Sequence, residues 1–161
     1  MVTAVRVEVK SSFFQTLEGV DVLNGDFRRE WPLVAIYVYS KVGEQFDSEG
    51  GLSGGWQALS AAYAKRKAKT HPGKTIERRD GALEKSLRNA NAPGSIYKPE
   101  RDSLTLGSTL KYAKAQHFGY KKRNLPARPL YPQFTATMTR ELGALVAADL
   151  TNYTKNLGLA K

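Results

Sequence analysis

Two histidines, no cysteine and a scatter of carboxylates are the residues from which this chain would have to build any reactive site. His71 and His117 stand alone: neither has an Asp, Glu or second His three or four residues on, the spacing that would place a second zinc ligand on one helix face. Without cysteine there is no disulfide, thiol nucleophile or thiolate metal site. No Gly-x-Ser-x-Gly elbow occurs. The run Gly50-Gly51-Leu52-Ser53-Gly54-Gly55 lacks the preceding strand and the Lys-Ser/Thr pair of a phosphate-binding loop. Glu44 and Asp47 sit one turn apart, a spacing that an ordinary solvated helix face explains equally well. The expectation is a protein without catalytic residues, cofactor or metal, acting through its surfaces.

Cationic groups are the remaining chemistry. Lys65-Arg66-Lys67-Ala68-Lys69 and Lys121-Lys122-Arg123 are the densest runs, with Tyr63, Tyr112 and Tyr120 close by in sequence. Basic residues interleaved with aromatics suit nonspecific contact with nucleic acid. Tyrosines at helical spacing also serve as half-buried packing groups. The net charge of +10 is unevenly placed. Residues 1–59 sum to −3, residues 60–88 to +6, and residues 111–128 to +6 with no acid at all. Such a patch fits an acidic protein surface or nucleic acid, and equally a solubilising face.

These residues must be held by elements that the pattern of apolar side chains defines. Val5, Val7 and Val9 alternate with charged residues, the period of a half-buried strand. Residues 11–26 have no clear period and read as loop. Phe27, Trp31, Val34, Val38, Val42 and Phe46 recur at three- and four-residue steps, predicting a helix over about 27–48 with Pro32 in its first turn or at a kink. Four glycines among residues 49–55 require a loop. Ser60 opens a helix over 61–69 that His71-Pro72-Gly73 ends, and Asp80 is placed to cap a short helix containing Leu83, Ser86 and Leu87. Strands are expected over 95–98 and 103–109, joined by Pro99-Glu100-Arg101-Asp102. A short helix over 111–117 stops at Gly119. The last helix, about 133–157, carries Phe134, Met138, Leu142, Leu145, Val146, Leu150, Tyr153 and Leu157 on one side. The sum is an α+β chain, a small, mostly antiparallel sheet packed with two long helices and shorter ones, in a single domain over 1–161. Trp56, Leu83, Leu87, Leu142, Leu145 and Leu150 are expected in the core, and residues 49–55 and 66–79 as mobile segments ordered by a neighbour. The apolar fraction of 41% and charged fraction of 25% are those of a soluble globular protein. The first residues contain no signal-peptide-like apolar run, and no segment is apolar for long enough to span a membrane.

The stretch Tyr112-Ala113-Lys114-Ala115-Gln116-His117-Phe118-Gly119, followed by Pro126-Ala127-Arg128-Pro129, resembles the phage virion morphogenesis (tail-completion) proteins of Mu-like phages. Upstream, Phe46, the glycine-rich segment ending in Trp56, Leu59-Ser60 with Tyr63 and Lys67, Arg79-Asp80-Gly81-Ala82-Leu83 with Ser86-Leu87, and Leu106-Gly107-Ser108 are similar to the family's pattern in order and spacing, over roughly residues 42–150. Gln116-His117 stands where the family often has His-Gln, Asp80 where it often has Thr, and Leu130-Tyr131 where it often has Phe and a small residue. Those exchanges fit packing positions better than a reacting histidine or hydroxyl. The resemblance implies a structural protein of the virion neck or tail end, made in the host cytoplasm. It implies partnership with itself, commonly as a hexameric ring at the head–tail junction, and with other neck or tail proteins. A basic accessory DNA-binding protein is the alternative reading. The expected assembly surface comprises Arg128 on its rigid loop between Pro126 and Pro129, with Tyr120, Lys121, Lys122 and Arg123, and Lys65, Arg66 and Lys67. For Arg128 two roles stand open: a carboxylate contact across a subunit boundary, or a pair within its own fold.

Overall fold

The computed structural model describes residues 4–17 and 20–159. Among them are three strands, β1 (Val5–Lys10), β2 (Ser95–Pro99) and β3 (Ser103–Ser108), forming an antiparallel sheet in the order β1-β3-β2. Five helices accompany them: α1 (Trp31–Asp47), α2 (Ala61–Thr70), α3 (Ala82–Arg88), α4 (Ala113–Phe118) and α5 (Ala136–Asn156). The class is α+β, as the sequence pattern predicts. The chain divides into two compact units: Met1–Val7, Tyr39–Ile96 and Gly107–Gln133 form the first, and Glu8–Val38, Tyr97–Leu106 and Phe134–Lys161 the second.

In the second unit the core is aromatic. Phe14, Phe27 and Trp31 are fully buried, with ring centroids 5.6–6.4 Å apart. Phe14, from the segment read as loop, and Phe27, expected at the start of the helix, sit in short 3₁₀ turns at Ser11–Phe14 and Phe27–Arg29. Phe14 lies in a segment without a period, whereas Phe27 keeps its four-residue step to Trp31 from a 3₁₀ turn and not from the helix. The predicted helix therefore begins four residues late, at Trp31. Pro32 has no N–H to donate and a fixed φ, so it suits a first turn and not the interior of a longer helix. Asp26 instead caps the 3₁₀ turn, its carboxylate accepting from Arg28 N. The strand connection is fastened to this core by three bonds: Trp31 Nε1 donates to Glu100 O at 2.5 Å, Ser11 N to Asp102 O at 2.7 Å and Phe27 N to Arg101 O at 2.8 Å.

Helix α5 is capped by Thr135, whose hydroxyl accepts from Met138 N. It buries Met138, Leu142, Val146 and Leu150 at four-residue steps. Leu145, expected inside, is 43% exposed. At 100° per residue it falls roughly 80° from the centre of that stripe, on its trailing edge. Leu157 is exposed as well, one residue beyond the helix end. Tyr37 Oη donates its one proton to the Glu141 carboxylate at 2.7 Å, with Met138 O also near at 3.1 Å, and Arg29 reaches Asp149 at 2.6 Å with its guanidinium 3.9 Å over the Tyr153 ring.

In the first unit, Val42 and Phe46 of α1 are fully buried, Phe46 meeting Trp56 edge-on at 5.2 Å. The glycine-rich loop wraps around that pair and contains a 3₁₀ turn, Gly51–Ser53. Gly50 has φ +90° and lies so close to the Trp56 ring that any Cβ would overlap it, which accounts for the glycine. Gly107 in β3 is equally constrained, because a Cβ there would strike the Val5 carbonyl of β1. Ser60 caps α2 as expected. Helix α3 follows Gly81 in the left-handed region, with Asp80 one residue earlier than a usual cap and still accepting from Ala82 N at 3.0 Å. No helix among the described residues is long and apolar enough to cross a membrane.

Candidate functional site

The first unit contains a cavity of about 770 Å³, bounded by the segment 57–60, α2, residues 77–83, α4 and the loop 123–128. Each wall follows from local sequence. The loop after α4 turns at Gly119, pairs Tyr120 with Leu125 in a two-way backbone exchange and returns through Pro126. Arg128 N then donates to Gln116 O at 2.8 Å, and Leu130 N donates to His117 Nδ1 at 2.9 Å. That bond fixes the neutral tautomer with its proton on Nε2, and burial holds the His117 ring below the usual histidine range. Pro129 O receives Gln45 Nε2 at 2.7 Å and Trp56 Nε1 at 2.9 Å. The whole return is thereby tied to α1 and to the glycine-rich loop.

Arg128 does not project. Its side chain is 4% exposed, its Nε donates to Gln57 O at 3.0 Å and its Nη1 to Glu77 Oε1 at 3.1 Å, and Glu77 is itself 4% exposed. Of the two roles open from sequence, the internal pair is the one observed. The physical reason is desolvation: a guanidinium that is buried away from water needs a buried counter-charge. Lys67 is corrected in the same way. It is buried, and its ammonium donates to Thr75 O while lying in the field of Glu77 and Glu49. Burial pushes the Lys67 ammonium down and the Glu77 carboxyl up, the second opposed by Arg128. Glu77 also has φ +60°, unusual for a residue with a side chain, so its position is imposed by its surroundings.

Of the other residues expected at an assembly surface, Arg123 and Pro126 line the cavity together with Lys67 and Arg128. Tyr120, Lys121, Lys122, Lys65 and Arg66 are exposed and outside it, and Pro129 is half-buried as the carbonyl anchor just described. Sequence reasoning missed Glu77, Gln57 and Gln116. Glu77 had one available signal, being the only acid between Lys65 and Arg79. The segments 49–55 and 66–79, expected as mobile, are tied by side chains: Gln45 Oε1 accepts from Leu52 N at 3.1 Å, Glu49 Oε1 from Ile76 N at 2.6 Å, and Arg78 pairs with Glu84 and Asp47 at 2.6–2.7 Å. Among the described residues no group of three or more His, Cys, Asp or Glu is placed to hold a metal ion. Comparison with protein-family models, curated proteins and solved structures finds no match to this chain.

Proposed function

We propose that this chain is a non-enzymatic structural protein of a phage virion, acting in tail completion or head–tail joining at the neck or tail terminus, and working as a homo-oligomeric ring. The observation that carries the reading is where the family-like residues fall. Phe46, Trp56, Leu83, Ser86, Leu87, Ser108, His117, Arg128 and Pro129 all belong to the first unit, joined there by the Phe46–Trp56 contact, the Ser86–Ser108 hydroxyl bond and the Arg128–Glu77 pair. His117 spends its one free lone pair on Leu130 N, and Arg128 spends two donors on the fold. Residues used in this way build a scaffold, and a scaffold acts through its surface.

The test is assembly itself. Purified protein should form closed rings in negative-stain images and co-sediment with phage tails. A soluble monomer that never associates with tails would end the proposal, as would a hydrolase or nuclease activity that a point substitution removes. A second reading, a basic DNA-binding accessory protein, is favoured by one observation: Tyr112, Phe118 and Tyr120 are exposed beside the exposed Lys111, Lys114, Lys121, Lys122 and Arg123. A shift of duplex DNA at physiological salt would support that reading instead.

A further inference from the structure

The cavity is short of negative charge. Its floor holds Lys67, Glu77 and Arg128, a formal +1 in a buried setting, and its rim adds Arg79 and Arg123 against Asp80 alone. Arg128 Nη2 has no acceptor among the described residues, and Gln116 Oε1 in the wall has no donor. A buried cationic excess is costly unless an anion offsets it. The groups around it, Tyr63, Tyr112, Leu125 and Pro126 among them, suit the backbone and apolar stems of a peptide better than a free ion.

The same chain carries an acidic group of complementary form. In the turn between β2 and β3, three bonds to the backbone carbonyls, from Trp31 Nε1, Ser11 N and Phe27 N, fix residues 100–102, and the Arg101 side chain is spent on Asn24 O and Gly25 O. The Glu100 and Asp102 carboxylates make no hydrogen bond or ion pair among the described residues, and both residues are exposed. The backbone that carries these two free carboxylates is already fixed, so binding costs the rotamer freedom of the two side chains and little backbone freedom.

We propose that the Glu100–Asp102 turn of one copy enters the cavity of a second copy, its carboxylates meeting Arg128, Arg79 and Arg123. This rests on the reading of the protein as self-assembling, and it specifies the contact. Turn and cavity are different patches, so the contact is head-to-tail and repeats from copy to copy.

Charge reversal tests it. Arg79 and Arg123 lie outside the buried pair, so Arg79→Glu/Arg123→Glu should fold, as should Glu100→Lys/Asp102→Lys; unchanged melting temperatures verify this. Each double variant should weaken self-association at least tenfold in sedimentation velocity, about 1.4 kcal/mol. An equimolar mixture of the two should re-associate, because the intact cavity of one meets the intact turn of the other. Raised salt should weaken the wild-type assembly. Assemblies unchanged by both variants would overturn this contact while leaving self-assembly standing. A wild-type protein that stays monomeric would overturn both. A monomer that binds DNA and loses that binding in Arg79→Glu/Arg123→Glu would assign the cavity to nucleic acid and overturn the proposal equally.

Discussion

The two units are built on opposite principles. The first contains 17 basic and 6 acidic residues, and the second 8 basic and 9 acidic. In the first, strongly charged side chains reach the interior, with Arg128, Glu77 and Lys67 together beneath a cavity. In the second, the centre is three aromatic rings and an aliphatic stripe, and the one deeply buried acid among the described residues, Glu30, sits with Arg29. Burial raises the pKa of Glu30 while Arg29 opposes the rise. Charge departs from the rule of apolar interiors at Glu30 in the second unit and at Arg128, Glu77 and Lys67 in the first, where the departure lies beneath an open cavity. Departures of that kind gather at surfaces with work to do.

The largest effect that would break the comparison is at Arg128. Arg128→Ala leaves Glu77 buried without its partner and should destabilise the protein by about 3–5 kcal/mol in urea titration. A loss under about 1 kcal/mol would mean that the pair is solvated and the first unit ordinary. In the second unit, Leu150→Ala should cost about 2–5 kcal/mol through lost burial and a cavity, while Leu145→Ala on the same helix should stay within about 0.5 kcal/mol. Equal losses at the two sites would show that α5 is rotated from the position described. Thr135→Ala removes the cap of α5 and should cost about 1 kcal/mol, read from the same titration.

The smallest effect is a pH dependence at His117 in the first unit. Burial depresses the folded-state pKa of His117 below 6.5, so the folded protein binds that proton less readily than the unfolded chain does. Its contribution to stability is complete above pH 6.5 and is lost as pH falls toward the lower folded value. The difference in melting temperature between pH 7.5 and pH 5.5 should therefore be smaller in His117→Gln than in the wild type. An identical difference in both would place His117 in solvent.

Sequence alone determined the parts governed by local repetition. Val42 and Phe46 of α1, Met138 to Leu150 of α5, the Ser60 cap and the hairpin at Pro99–Asp102 all follow from period, cap and turn chemistry, which act over a few residues. The three-ring core was legible only in part: Phe27 and Trp31 stand on the periodic face, whereas Phe14 comes from a turn without a period. Leu145 was misplaced because a helical stripe drawn from one sequence has no sharp edge until a neighbour covers it. The fate of Arg128 could be settled only in three dimensions. Its partner lies 51 residues away in sequence, in a basic segment where a single acid carries little weight until the fold buries both. Charge type and spacing are properties of the chain, whereas burial, which decides whether a charge faces water or must be paired, belongs to the tertiary structure.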